Sequence, residues 1–191
     1  MRRRPAFRLA LFLAAAFAAP VQGQPVPEDR SRKQNQTSDW EIEQERLNWK
    51  EGDVRLPAFP KDEGLLEFQV SGATRFRFFI DLASVLPGPD GVVRYTLVAR
   101  SPAGFSNISY EGIRCATSSW KMYALGNDGR WSARESEWRD IEPRSVQRWH
   151  LELRHRYFCP GRVAIFTAAE GVNALRRGGH PAVSDKTGLE R

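Results

Sequence analysis

The chain has 191 residues, and its 29 Lys+Arg against 23 Asp+Glu give a formal net charge of +6. A surplus of this size is typical of nucleic-acid-binding proteins, but four of its arginines (Arg2, Arg3, Arg4 and Arg8) lie at the extreme N-terminus. Without that leader the balance is 25 basic to 23 acidic residues, which removes the main support for a nucleic-acid partner.

The N-terminus has the three parts of a secretory signal peptide. Residues 1–4 are basic, residues 9–19 form an apolar run of eleven residues, and Val21 and Gly23 are small enough for signal peptidase. The apolar run is too short to span a bilayer, which favours a signal peptide over a transmembrane helix. We therefore expect cleavage of residues 1–23, and we expect no transmembrane segment in the chain that remains. The alternative is an uncleaved membrane anchor. The excess of arginine over lysine is typical of GC-rich bacterial genomes, which predicts a bacterial source. For an exported bacterial protein the predicted location is the periplasm.

The chain has two cysteines, Cys115 and Cys159. Two cysteines allow one intramolecular pairing, and an oxidising compartment favours its formation. We therefore predict a structural disulfide. The rival interpretation is a redox-active pair, with Arg114 favouring a thiolate. Redox-active cysteines usually lie close together as Cys-x-x-Cys, and these two are far apart in the sequence.

Composition divides the chain after the leader into three parts. Residues 24–39 are rich in proline, glutamine and charge and lack apolar periodicity, which predicts a disordered segment. Residues 40–179 form a single domain, beginning with an acidic stretch that favours a short helix capped by Asp39. Residues 180–191 are predicted to be a disordered tail.

Alternating apolar residues begin at Leu65. The runs 65–70 and 76–80, separated by residues 71–73, predict a hairpin with one buried face. Since Phe68 and Phe76 must share that face, the loop has an odd length, and a three-residue loop places Glu67 opposite Arg77.

Further strands follow at regular intervals. The turn PGPDG at residues 87–91 precedes an alternating run at 93–100. Residues 105–115 and 120–125 are predicted to be the next two strands, and the turn NDG at 127–129 follows them. The sheet therefore has about five antiparallel strands.

The C-terminal third changes character. Residues 145–158 alternate as a strand would but also place Val146, Trp149, Leu153 and Tyr157 along one side of a helix; their length and composition favour helix. The sequence TAAE at residues 167–170 is a capping box that opens a second helix, and Gly178 and Gly179 end it. The predicted fold class is α+β: a small antiparallel sheet followed by one or two C-terminal helices, with the disulfide joining the end of a strand to the end of a helix.

Several strings resemble a known family. They are DGVVRY (90–95), YEGIRC (110–115), YA (123–124) and YFC (157–159). Together they are similar to the cryptic neisserial protein 1-like family, over roughly residues 40–177. The resemblance implies an exported proteobacterial protein, and it implies no activity, because the function of that family is not established.

Arg94, Tyr95, Glu111 and Arg114 are the candidate ligand-binding residues within these strings. If the third and fourth strands are neighbours, Arg94 and Glu111 meet across them as a charge pair. A second interpretation is a pocket in which Arg94 and Arg114 hold an anion. A third is an envelope enzyme that uses Glu111 with the two arginines, although a general acid or base needs a partner and a cleft.

No other pattern predicts chemistry. His150 and His155 are five residues apart and fall on different faces, so we expect no metal site, and no phosphate loop or nucleophile elbow is present. The six tryptophans are expected to be core and rim residues. We therefore expect no cofactor and no catalytic set. The predicted function is a periplasmic interaction or ligand-binding module, whose partner is another periplasmic protein or an anionic small molecule.

Overall fold

The computed structural model describes residue 44 and residues 47–70, 74–142 and 148–184. The chain divides into two units, Met1–Ile42 and Glu43–Arg191, and all the described residues belong to the second. The predicted signal peptide, the predicted disordered segment and Asp39 lie outside the described residues. No helix within the described residues is long and apolar enough to cross a membrane.

The described residues form a seven-stranded antiparallel sheet. Its strands are β1 (Leu65–Phe68), β2 (Arg77–Pro87), β3 (Val92–Arg100), β4 (Ser106–Arg114), β5 (Ser119–Asn127), β6 (Arg130–Ala133) and β7 (Arg139–Asp140). Strands β1 to β6 follow one another in space as in the chain, and β7 pairs with β5 beside β6. The predicted α+β class is confirmed. The strand count exceeds the predicted five because β6 and β7 are too short to show an alternating pattern.

The first hairpin has the predicted faces but a different register. Phe68 lies directly opposite Phe78, so the apolar residues share one face as expected. Glu67 lies opposite Phe79 and not opposite Arg77, a shift of two residues. The expected ion pair still forms diagonally, since Arg77 Nε donates to Glu67 Oε1 at 3.0 Å.

The turn between β5 and β6 shows why its residues suit a hairpin. Asp128 and Gly129 have φ values of 47° and 74°, and two successive residues with positive φ form the two-residue turn that matches the twist of antiparallel strands. Glycine adopts this conformation without steric cost, and aspartate tolerates it better than most residues.

Two main helical segments follow the sheet. Helix α1 (Arg148–Glu152) continues as a π-helix (Leu153–Phe158), so this stretch is helical, as the composition favoured. Helix α2 (Ala168–Arg176) begins as predicted, with Thr167 Oγ1 accepting a hydrogen bond from Glu170 N at 3.1 Å. A short helix α3 (Pro181–Ser184) lies within the predicted tail, which differs from the expectation of disorder from residue 180 onward; residues 185–191 lie outside the described residues.

The main core lies between the sheet and these helices. Its most buried large side chains include Ile80, Tyr95, Ile113, Leu153, Tyr157, Phe158 and Ile165. Helix α2 approaches β2 closely at Gly171, where an added Cβ would lie 2.5 Å from Ile165 Cδ1 and 3.0 Å from Val85 Cγ1. A side chain at this position would therefore push the helix away from the sheet.

The predicted disulfide between Cys115 and Cys159 is present in the structure. Cys115 directly follows β4 and Cys159 directly follows the π-helix, and their Cα atoms are 5.4 Å apart. Both cysteines are buried. The bond joins the sheet to the helical layer, as the sequence predicted.

The opposite face of the sheet is covered by an irregular stretch that precedes β1, here called the covering segment (residues 49–59). Trp49 Nε1 donates to the Asp90 carbonyl at 2.8 Å, and Trp131 Nε1 donates to the Pro57 carbonyl at 2.9 Å. The ring of Phe59 packs on Trp131 with centroids 5.2 Å apart. The sheet therefore lies between the helices on one face and this segment on the other.

Candidate functional site

The register of β3 and β4 separates the predicted site residues. Tyr95 lies opposite Glu111, and Arg94 lies opposite Gly112. Because side chains alternate along a strand, Tyr95 and Glu111 face the helices, and Arg94 faces the covering segment. The expected charge pair between Arg94 and Glu111 is therefore wrong, although the two strands are neighbours as assumed.

Glu111 is the centre of a buried hydrogen-bond cluster on the helix side. Its Oε1 accepts from Ser109 Oγ at 2.7 Å. Its Oε2 accepts from the Tyr95 hydroxyl at 3.1 Å and contacts His150 Nε2 at 2.8 Å. The residue is 4% exposed. A carboxylate buried to this extent needs such donors to replace water.

His150 contributes from α1 and was not among the predicted site residues. Its ring stacks on Trp120 with centroids 3.9 Å apart and is almost fully buried. Nε2 also lies 3.2 Å from Trp149 Nε1. One nitrogen cannot both donate to the carboxylate and accept from the indole N–H. The contact with the carboxylate is the shorter of the two and is charge-assisted, so we assign the proton to Nε2. His150 is then a donor that holds Glu111.

The Tyr95 hydroxyl is the second donor to Glu111 Oε2, and its raised pKa keeps it protonated. Burial raises the pKa of the Tyr95 hydroxyl well above its ordinary value, and the negative charge of Glu111 and their hydrogen bond raise it further. The phenol therefore keeps its proton and donates a hydrogen bond to the carboxylate. Glu111 is thus held from two sides, by the neighbouring strand and by the first helix.

A cavity of about 400 Å³, here called the Glu111 pocket, opens beside this cluster. It is lined by Thr74, Phe76, Phe78, Leu97, Ala99, Asn107, Ser109, Glu111 and Trp149. The Trp149 ring stacks on Phe78 with centroids 5.0 Å apart, and Phe76 remains 41% exposed. Aromatic walls with a few convergent polar groups are the usual composition of a small-molecule site.

Arg94 belongs to a separate network on the other face. Its guanidinium donates to Asp90 Oδ2 at 2.6 Å, and its Nη2 lies 3.9 Å from Glu51 Oε1. Although burial alone would raise it, the pKa of Asp90 is lowered by the hydrogen bonds from Arg94 and from the backbone of Gly52. This pair closes the turn before β3 and ties the covering segment to it.

Glu51 extends that network and was also missed by sequence reasoning. Its carboxylate accepts from the Tyr123 hydroxyl at 2.6 Å, from Lys121 Nζ at 2.9 Å and from Trp138 Nε1 at 3.3 Å. Glu51 lies in an irregular stretch, where no periodic pattern indicates which strands its side chain will meet. The charges on this face link the covering segment to β5.

Arg114 lies on the same side as Arg94, with its guanidinium 3.9 Å above the Trp49 ring. Trp49 belongs to the covering segment, whereas the lining of the Glu111 pocket includes Trp149 of α1. Of the four predicted site residues, the structure therefore brings Tyr95 and Glu111 together and places both arginines elsewhere. An enzyme site that combines Glu111 with Arg94 and Arg114 has no support in this geometry.

The histidines and acids do not converge further. Within the described ranges, no group of three or more His, Cys, Asp or Glu side chains is arranged to hold a metal ion. His150 contacts Glu111, whereas His155 Nε2 lies 2.8 Å from Arg154 Nη1. The two rings thus belong to separate environments.

Comparison with known proteins places these features in a family. The profile of the CNP1-like family matches residues 44–176, which include the whole sheet, the Glu111 pocket and the disulfide. Over 156 residues the chain is 29% identical to Cryptic neisserial protein 1 of Neisseria gonorrhoeae (strain ATCC 700825 / FA 1090), covering 72% of this chain and 77% of that protein. No solved structure matches the chain. The resemblance drawn from the sequence is thereby confirmed, and the chain belongs to the CNP1-like family.

Proposed function

We propose that the protein is an exported, periplasmic ligand-binding module whose ligand occupies the Glu111 pocket. The observation that carries this proposal is the pocket itself, a cavity of about 400 Å³ whose lining combines aromatic side chains with a carboxylate held by hydrogen bonds. Pockets for small ligands commonly measure ~300–1,000 Å³. A ligand with an apolar body and one polar end matches this distribution of side chains.

The composition of the pocket favours binding over catalysis. Among the lining residues that the structure describes, Glu111 is the single ionisable side chain. His150 is a donor to Glu111 and is not one of the described residues that line the cavity. Acid–base chemistry on a bound molecule generally requires a second group within hydrogen-bond reach of the reacting atoms. Binding requires only the shape, the apolar walls and the fixed carboxylate.

Export is supported by the pattern at the N-terminus. A basic start, an apolar run and small residues near Gly23 are the features by which secretion machinery recognises a leader. The disulfide between Cys115 and Cys159 suits an oxidising compartment. We therefore expect the mature protein to begin at residue 24.

Binding can be tested with N-phenyl-1-naphthylamine, an uncharged aromatic probe whose emission rises in apolar sites. Ala99 lines the pocket, so Ala99→Trp fills it, whereas Ala103 lies exposed in the turn after β3 and supplies the control Ala103→Trp. We expect saturable probe emission for the unmodified protein and for Ala103→Trp, and its loss for Ala99→Trp. Equal emission from all three proteins would mean that the probe binds outside the Glu111 pocket, which would contradict the proposal.

Location is tested separately by osmotic-shock fractionation of a bacterial host and by intact mass. We expect the protein in the periplasmic fraction with a mass that corresponds to residues 24–191. Recovery of the uncleaved chain from the membrane fraction would support the anchor alternative. Recovery of the uncleaved chain from the cytosol would contradict export.

A further inference from the structure

We propose that the ligand of the Glu111 pocket is an organic amine, bound as a primary ammonium ion with an apolar body. This inference rests on the proposed function and names the ligand class. It depends on three features of the pocket: its charge, the acceptor position still open on Glu111, and the aromatic rings beside it.

The first feature is the charge. Glu111 is the single ionisable residue among the described residues of the lining. Within the described ranges its ion-pair contact is with His150, which is charged only when protonated, and not with a Lys or Arg. The donors to the carboxylate among these residues are Tyr95, Ser109 and His150. A negative charge in the wall of an apolar cavity attracts a cation and repels an anion, and the low local dielectric strengthens both effects. This differs from the anionic ligand expected from Arg94 and Arg114.

The second feature is the unused acceptor capacity of the carboxylate. A carboxylate has about four acceptor positions. Among the residues that the structure describes, two donors contact Oε2, whereas Oε1 receives one hydrogen bond, from Ser109. Ser109 itself lines the pocket. The carboxylate oxygen with the open acceptor position, Oε1, is therefore the one that is bonded to a hydroxyl of the pocket lining. An N–H of an ammonium ion would complete this set, whereas a quaternary ammonium has no N–H to donate.

The third feature is the aromatic wall. Phe76, Phe78 and Trp149 line the same cavity as the carboxylate, and Phe78 and Trp149 stack on each other. Aromatic faces attract a nearby cation and also bury an apolar body. At the rim, the side-chain amide of Asn107 offers a further acceptor for an ammonium.

The test compares phenethylammonium with 2-phenylethanol, which has the same body and an uncharged donor, by calorimetric titration at pH 7 and low salt. A charge-assisted hydrogen bond to a buried carboxylate predicts a dissociation constant about ten- to a hundredfold lower for the ammonium. Glu111→Gln should bring the two constants together. Glu67→Gln, which changes an exposed glutamate on β1, is the matched control and should keep the preference.

A second variant keeps the test decisive if Glu111→Gln fails to fold. Asn107 is an exposed residue of the lining, so Asn107→Asp adds a carboxylate without disturbing the core. It should tighten phenethylammonium binding severalfold and leave 2-phenylethanol binding unchanged. Equal binding of both compounds by the unmodified protein, or no gain in Asn107→Asp, would overturn the amine assignment.

The two proposals fail in different ways. If 2-phenylethanol displaces N-phenyl-1-naphthylamine and phenethylammonium does not, the pocket binds ligands and the amine assignment is wrong. If the naphthylamine itself does not bind, the proposed function fails and the amine assignment fails with it.

Discussion

Glu111 on β4 and His150 on α1 are joined by a 2.8 Å hydrogen bond between Oε2 and Nε2, although they lie 39 residues apart in the chain. The bond connects the sheet to the first helix beside the pocket. Trp149, which directly precedes His150 on that helix, forms part of the pocket wall. The shape of the pocket and the position of α1 therefore depend on each other.

Removing the histidine donor should destabilise the protein. In His150→Leu the carboxylate of Glu111 stays buried with one donor fewer, so we expect the free energy of unfolding to fall by about 2–3 kcal/mol. His150→Gln, which can still donate, should recover part of the loss. Urea unfolding followed by near-ultraviolet circular dichroism measures both. His155→Leu changes an exposed histidine of the same helical stretch and is the control; an equal loss there would contradict the assigned role.

The Asp90–Arg94 pair predicts a loss of stability in acid. The folded-state pKa of Asp90 is lowered from its ordinary value of 3.8, so its contribution is complete above that value and is lost as the pH falls below it. Asp90→Asn should flatten this dependence and, since it leaves the buried Arg94 without its main partner, should cost about 3 kcal/mol at pH 7. Urea unfolding at pH 7, 4 and 3 tests both effects. A pH profile unchanged in Asp90→Asn would contradict them.

Loss of the disulfide should lower stability without changing the fold. The bond closes a loop with a sequence separation of 44, for which chain entropy predicts up to about 4 kcal/mol. We expect the double variant Cys115→Ser, Cys159→Ser to keep its far-ultraviolet spectrum and to unfold at a lower urea concentration. Reductant should lower the midpoint of the unmodified protein and leave that of the variant unchanged.

Gly171 should not tolerate the substitution that usually stabilises a helix. Gly→Ala in an exposed helix gains about 1 kcal/mol. Here the new Cβ would meet Ile165 Cδ1 and Val85 Cγ1, so we expect Gly171→Ala to cost about 1–3 kcal/mol. Asn173→Ala, at an exposed position of the same helix, should be neutral or slightly stabilising. Thermal unfolding of the two variants compares them directly, and a stabilised Gly171→Ala would contradict the close packing.

Removing the hydrogen bonds of Glu51 should make the covering segment more accessible to protease. Glu51 accepts hydrogen bonds from Lys121, Tyr123 and Trp138. Arg55 in the same segment has an exposed side chain, and trypsin cleaves after arginine. We expect Glu51→Ala to speed tryptic cleavage after Arg55, measured by mass spectrometry over a time course. Asp53→Ala, at a neighbouring exposed position, should leave the rate unchanged.

The sequence predicted elements and faces better than it predicted the site. Alternation placed Phe68 and Phe78 on one face because a strand has a period of two, whatever its register. Whether Arg94 meets Glu111 depends on the register of β3 and β4. A shift of one residue in that register moves the side chains of one strand to the opposite face of the sheet. The turn between those strands sets this register. Pro102 and Gly104 form it, with Gly104 N donating to the Ser101 carbonyl at 2.9 Å, but that turn was not predicted from the sequence.

His150 was missed for a different reason. The helical interpretation correctly grouped Trp149, Leu153 and Tyr157 as an apolar side, but a polar residue beside that side gives no indication of its partner. Its contact with Glu111 is made by docking of α1 on the sheet, which the sequence does not encode locally. The disulfide was predictable because two cysteines allow one pairing, which needs no register.

The order of the strands has a consequence for how the chain assembles. From β1 to β6 each strand pairs with its neighbour in the chain, so the sheet can grow hairpin by hairpin with little loop-closure cost at each step. Cys115 directly follows a central strand, and Cys159 follows the helical stretch that packs on the sheet. The sulfur–sulfur bond can therefore form after the sheet is complete, and its rate of formation should report when the helices dock.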